Sequence, residues 1–435
     1  MSGHTMKIAI GGLLLLGTLW HVAQGDIQYH QRSPIYSERY DLCLRIDDER
    51  EAEALNIGQH WGTEKPTATT RIDLLKVSSP ASSFDFRTWD PEGVIFFGDT
   101  LSGQDWFLLG LRKGQPEIQV RNSISQVSVS GGNRINDGQW HRISVKSEGD
   151  SIVLEVDHAE ALRIWHITAP INESTDSTLR IAVGGMLNNQ SNLLVPMNPA
   201  MDGCIRAWNW MNQTSAWLTS PAMDQGISKP CFEQVKRGSY FAGVGMAVFN
   251  SRDFVHKYDP KPENWALSLE MSIRPTKRTG FLFAVSATDG RPLLTLRMKA
   301  QIFILEVGSA TVLRLPFPHR LCLASRLVLH ISKTLLSWQI DEKKVVQPMA
   351  VQDYQALRAV WQDQHGKLFI GGMPNLLKLY PAEAMVFFQG CLQDLLVQGH
   401  TLDMDTAVFK CNSIWAHSCP STDLFSQLLA LDAKE

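Results

Sequence analysis

The chain has 435 residues, 44% of them hydrophobic, with a formal charge of −3 and a pI near 6.5. That length carries two or three domains with full cores. That charge offers no basic face to nucleic acid or to an anionic membrane, so neither partner is expected.

Residues 1–25 read as a secretory signal peptide. Lys7 precedes an apolar run of 12 residues, "IAIGGLLLLGTL", and "VAQG" supplies the small residues that a signal peptidase reads. Such a run is too short to span a bilayer, which takes about 20 residues. No later stretch reaches that length, so a secreted, extracellular protein with no membrane span is expected. Residues 26–68 follow as a polar arm containing the acidic stretch "DDEREAEA".

From about Ile72 the pattern becomes β. "DWFLLGLRKGQPEIQV" predicts a hairpin that turns at Lys113 and Gly114. In "HRISVK", His141, Ile143 and Val145 alternate with Arg142, Ser144 and Lys146. A turn at "EGD" leads into "SIVLEVD", which alternates again through Ile152, Leu154 and Val156. This is a second hairpin with one face buried. Short strands with turns at close intervals, and no long 3.6-residue periodicity, predict an all-β fold of antiparallel sandwiches.

Three landmarks recur at one offset of 187 residues. Gly93, opening "GVIFF", returns as Gly280, opening "GFLFA". The "GGM" at Gly184 returns at Gly371, and Cys204 in "MDGCIRAW" returns as Cys391 in "FQGCLQDL". A shared offset of this kind marks a tandem duplication. The second copy repeats the strand grammar in "LSLEMSI", "GFLFAV", "FILEVG" and "RLVLHIS". The domains are expected at 69–235 and 236–420, with a tail at 421–435.

Seven cysteines stand in what reads as an oxidising compartment. Pairing by repeat position joins Cys204 to Cys231 and Cys391 to Cys419, each bond worth roughly 3 kcal/mol by the chain-entropy argument. Cys43, Cys322 and Cys411 are left over, and their state stays open. Asn172, Asn189 and Asn212 each begin an N-glycosylation triplet. There is no G-x-S-x-G elbow, no H-E-x-x-H and no phosphate loop. "GVGMAV" at 243–248 lacks the third glycine of a dinucleotide fingerprint. An enzyme is not expected.

"EGVIFF", "DGQWHRISVKSEGDSIVLEVD", "LRIAVGG" and the closing "DGC" resemble laminin G-like domains. The stretch "SSFDFRTWDPEGVIFFGDT", with the "DWFLLGLRKGQPEIQVRN" after it, is similar to secreted family members that carry androgens and oestrogens. The resemblance covers roughly residues 70–420 and is looser in the second copy. It implies two tandem jelly-roll-like sandwiches, a homodimer, and a steroid slot in the first domain. A steroid is a flat apolar body with an oxygen at each end, so its site needs an apolar slot with a polar group at either end. By resemblance, Ser82 meets the ring-A oxygen, Asp105 and Asn122 meet the far oxygen, and Phe107, Val145 and Leu179 form walls. Read without the family, Ser82 is an ordinary loop serine, Asp105 a strand start and Asn122 a turn residue.

"DPEG" at 90–93 has the composition of a type I turn. The same residues suit a structural calcium ion, because two carboxylates on one loop attract a hard cation. The resemblance completes that site with the backbone carbonyls of Asn122 and Ala200 and sets it against the steroid pocket. In the second copy "DPEG" becomes "KRTG", with Lys277 and Thr279 in place of the carboxylates, so one steroid site and one calcium site per chain are expected. A laminin G-like adhesion or receptor-ligand module without a steroid site is the competing reading.

Overall fold

The computed structural model describes residues 53–421, apart from 59–64, 78–80, 101–102, 166–177, 214–217, 220–230, 255–264, 301, 309–310, 318–322, 363–365 and 375–386. The expected signal peptide, the C-terminal tail, Asn172, Cys43 and Cys322 lie outside the described residues.

The first copy folds as strands β1 (Leu55–Asn56), β2 (Ala68–Asp73), β3 (Ala81–Thr88), β4 (Gly93–Thr100), β5 (Trp106–Arg112), β6 (Gln115–Arg121) and β7 (Gln126–Ser130). They are followed by β8 (His141–Glu148), β9 (Ser151–Val156), β10 (Ala159–Trp165), β11 (Thr178–Val183), β12 (Gly203–Trp210) and β13 (Leu218–Thr219). These form two antiparallel sheets, ordered β1-β12-β3-β8-β9-β10 and β13-β2-β11-β4-β5-β6-β7. Both expected hairpins form: β5 pairs with β6, and β8 with β9. Lys113 and Gly114 turn the first at φ 53° and 83°, the positive values that a two-residue turn matching strand twist requires. The expected polar arm ends inside the domain. Leu55 and Asn56 pair with Ile205 and Cys204, and Ile57 is fully buried.

The second copy contains β14 (Val235–Arg237), β15 (Ser239–Ala242), β16 (Ala247–Asn250), β17 (Leu267–Pro275), β18 (Gly280–Ser286), β19 (Pro292–Lys299), β20 (Ile302–Val307) and β21 (Thr311–Pro316). It continues through β22 (Ser325–Ile331), β23 (Leu335–Ile340), β24 (Lys343–Pro348), helix α1 (Val351–Gln362), β25 (Lys367–Ile370) and β26 (Gln389–Val397). The last strands are β27 (His400–Thr401), β28 (Phe409–Lys410), β29 (Ile414–Trp415) and β30 (Ser418–Pro420). Its sheets run β24-β23-β22-β17-β26-β15-β29 and β21-β20-β19-β18-β25-β16-β28. Strand β17 shows why these segments are strands: in "LSLEMSIRP" every second residue is buried, so one face meets the core.

The 187-residue offset is the offset of equivalent strand positions. Gly93 and Gly280 both open the strand at the centre of the second sheet, at φ 156° and 150°. A β-carbon on Gly93 would lie 2.2 Å from the Ala200 carbonyl oxygen, and one on Gly280 would lie 3.0 Å from that of Phe387. The same backbone crossing thus excludes a side chain in both copies. The disulfides Cys204–Cys231 and Cys391–Cys419 form as expected, and Cys411 is a partly buried thiol. Strands β14 and β30 pair where the first domain hands over to the second.

Helix α1 departs from the all-β expectation. Tyr354, Leu357 and Trp361 lie on one face, at spacings of three and four, and are 2%, 0% and 1% exposed in the second domain's core. Only those three anchors mark it, and the alternating strands around it hide so short a helical signal.

Candidate functional site

The strand register gathers the expected steroid-binding residues at one end of the first sandwich. Ser82, on β3, is 6% exposed and stands opposite Val145 on β8 and Trp210 on β12. Across the gap, in the other sheet, Phe107 on β5 stands opposite Gly98 on β4, and Leu179 on β11 stands opposite Thr100. Phe107, Val145 and Leu179 pack against the core yet stay partly accessible, as residues lining a slot must.

Behind them, Trp210 lies 5.6 Å, centroid to centroid, from both Phe84 and Phe96, and Phe96 lies 5.3 Å from Phe107. Trp210 and Gly98 escaped the sequence reading. The signal for Gly98 was its place inside an apolar strand, "IFFGDT", where a missing side chain leaves room for another group. A β-carbon there would meet only Arg180 backbone and the Leu179 side chain, at 3.6 and 3.8 Å.

Asp105 and Asn122 stand side by side just beyond Trp106 and Arg121, the paired ends of β5 and β6. The Asp105 carbonyl accepts the Thr100 N–H at 3.1 Å and closes the turn between β4 and β5. Asn122 Oδ1 accepts the N–H groups of Ile124 and Ser125 at 2.9 and 2.5 Å. This fits the turn reading of Asn122.

The expected calcium donors do not all meet. Asp90, Glu92 and Ala200 gather at the opposite end of the sandwich, by the β3–β4 turn. Asp90 Oδ1 accepts the Glu92 N–H and Oδ2 the Asp202 N–H, at 3.1 and 2.9 Å. Glu92 Oε1 accepts the Asn198 N–H at 3.0 Å. Gly114, at the near end of β6, donates to the Pro91 carbonyl at 2.7 Å, whereas Asn122 follows the far end of that strand. Seven strand residues rise about 23 Å, so Asn122 and Asp90 cannot share one ion, and an ion on Asp90 does not adjoin the slot. The four-donor calcium set therefore does not fit this fold. Burial pushes the Asp90 carboxyl well above the ordinary carboxylate range, although His417 beside it pulls the other way.

With this geometry in hand, the comparisons are decisive. Laminin G domain families match residues 86–215 and 273–400. The sex hormone-binding globulin of Homo sapiens is 36% identical over 359 residues, covering 82% of this chain and 85% of that protein. That of Oryctolagus cuniculus is 35% identical, covering 82% and 86%. The chain belongs to the sex hormone-binding globulin family.

Growth arrest-specific protein 6 of Mus musculus is 29% identical over 88% of this chain, which covers 58% of that protein. Mouse laminin α1 domains LG4-5 share the fold, with a TM-score of 0.63 at 17% identity, covering 86% of this chain and 95% of that one. The sex hormone-binding globulin family and laminin G modules are not enzymes. Among the described residues no helix is long and apolar enough to cross a membrane.

In this member of the sex hormone-binding globulin family, the described residues of the second laminin G domain put large apolar side chains at the positions matching the expected steroid-binding residues. Register aligns Ser82 with Leu269, Gly98 with Val285, Phe107 with Leu294 and Val145 with Leu329. All four replacements are at most 1% exposed. The α1 side chains Tyr354, Leu357 and Trp361 fill the same core. Of the glycosylation asparagines, Asn189 and Asn212 are exposed on the first domain.

Proposed function

We propose that the protein is a secreted carrier that binds androgens and oestrogens in the slot of its first laminin G domain, and so sets their free concentration. What supports this reading is a buried serine, Ser82, on one sheet and a glycine, Gly98, facing Phe107 on the other, in a chain whose relatives are named for binding sex hormones. Burying roughly 400 Å² of apolar ligand contributes about 10 kcal/mol before the costs of association. Apolar burial does not orient the steroid, so the polar groups set its direction. Ser82 both donates and accepts, so it serves a ketone or a hydroxyl at ring A. An ionised Asp105 only accepts, which favours a hydroxyl at the other end. A homodimer belongs to the same reading and is checked by sedimentation of the secreted protein.

The test is equilibrium binding of radiolabelled 5α-dihydrotestosterone to the secreted wild type and to Ser82→Ala. The expected result is saturable binding, weakened about 5- to 150-fold in the variant by the loss of a hydrogen bond worth about 1–3 kcal/mol. No saturable binding by the folded wild type sinks the carrier reading and leaves the adhesion or receptor-ligand module in its place.

A further inference from the structure

Three of the four large apolar side chains that the described residues of the first domain expose stand at one end of the sandwich, the end that carries Ser82 and Asp105. Leu75 is 65% exposed just past the end of β2, Ile124 is 56% exposed in the β6–β7 turn, and Trp165 is 70% exposed at the end of β10. The fourth, Val195, is the least exposed, at 38%. Apolar residues exposed singly are ordinary, but several at one end mark a surface that something covers.

Both N-glycosylation asparagines among the described residues stand at that same end. Asn212 comes two positions after Trp210, the residue opposite Ser82. Its neighbour Gln213 is tied to the end of β2: the side chain accepts the Asp73 N–H at 3.2 Å and donates to the Asp73 carbonyl at 2.8 Å. The Asp73 carboxylate in turn accepts the Leu75 N–H at 3.0 Å, so Asn212 and Leu75 belong to one corner. Asn189 follows Asn188, whose amide donates to the Gly103 carbonyl at 3.5 Å in the β4–β5 turn. That turn stands two strand spacings, about 10 Å, from the β6–β7 turn that carries Ile124. Asn189 Oδ1 accepts the Ser191 N–H at 3.0 Å, a bond that does not use Nδ2, the atom that takes sugar. Asn212 sits in a tight bend at φ 61°, and both residues are exposed. The second domain's sequence contains no such triplet.

We propose that N-linked glycans on Asn189 and Asn212 cover the exposed side chains of Ile124 and Leu75 and keep copies of the chain from associating through this end. In each case Nδ2 bonds to the anomeric carbon of an oligosaccharide and loses a proton, while the polyisoprenyl diphosphate that carried the sugar leaves. A hydrated glycan beside each apolar side chain hides it from other molecules without burying it in the fold. The inference stands on exposure and position and does not depend on steroid binding.

The test uses the full chain secreted from glycosylating cells. Mass spectrometry of its peptides should find sugar on both asparagines. Hydroxyl-radical footprinting should then show labelling of Leu75 and Ile124 roughly doubled once the glycans are removed enzymatically from the folded protein. Val351, 59% exposed in a domain without a triplet, is the control and should not change. Asn212→Gln should raise labelling at Leu75 alone, and Asn189→Gln at Ile124 alone. In sedimentation, the stripped protein should form species larger than the glycosylated one as concentration rises, and Leu75→Ser with Ile124→Ser should abolish them. The proposal is overturned if either asparagine carries no sugar, if stripping leaves both footprints unchanged, or if the stripped protein sediments as the glycosylated one does.

Discussion

The two laminin G domains share a strand order and a disulfide position, yet they carry different side chains at matching inward positions. The difference rests on a few inward positions. Where the first domain has Ser82, Gly98, Phe107 and Val145, the second has Leu269, Val285, Leu294 and Leu329, all buried. Helix α1 then adds Trp361 and Tyr354, with the Tyr354 hydroxyl donating to the Trp265 carbonyl at 2.8 Å. A sandwich interior packs to the density of an organic crystal, so a binding slot persists only where side chains are withheld from it. The inward faces of the two domains are two fillings of one frame.

That comparison can be broken most forcefully in the second domain. Trp361→Ala removes the largest plug and should cost about 3–5 kcal/mol in denaturant unfolding, because the surrounding core collapses only in part. Steroid binding by the first domain should be unchanged; a parallel loss of affinity would show that the domains do not act separately. The converse change, Gly98→Val, gives the first domain the side chain that the second carries at Val285. It should leave the melting temperature nearly unaltered and weaken dihydrotestosterone binding by about 1–3 kcal/mol, the cost of overpacking an occupied space. Wild-type affinity in that variant would place the ligand elsewhere.

The smallest effect concerns a titration that only the first domain has. Burial pulls His141 down, but hydrogen bonds to Asp157 and Asp137, at 2.7 and 3.0 Å, outweigh it and hold the imidazole above its ordinary 6.5. A raised folded-state value means the protonated form stabilises the fold. That contribution is complete below about pH 6.5 and fades as pH rises through the raised value. The second domain has Ser325 at the matching register position. His141→Gln should therefore flatten the pH dependence of first-domain stability slightly, since both aspartates are half exposed and water screens them. An unchanged profile would remove His141 from the contrast.

Much of this architecture was legible in the chain. A duplication leaves its period in the positions that tolerate least change. Gly93 and Gly280 must lack a side chain where a carbonyl crosses them, and Cys204 and Cys391 must meet their partners. Alternation revealed the hairpins because a strand with one buried face has a period of two. The steroid-binding residues were legible only through resemblance: Ser82, Asp105 and Asn122 are each ordinary in their local context. Their convergence on one end of a sandwich depends on which strands pair.

The chain by itself determined the repeat, the sandwich class and the two disulfides. These follow from local periodicity and from covalent or steric demands at single positions. Only the tertiary structure decided what those residues meet. Register sent Asn122 and Asp90 to opposite ends of the first sandwich, and folding brought Asp90 against His417, 327 positions later in the chain. It also set α1 into the second core. Contacts between residues distant in sequence depend on how sheets stack and domains dock, and no local pattern of side chains encodes that.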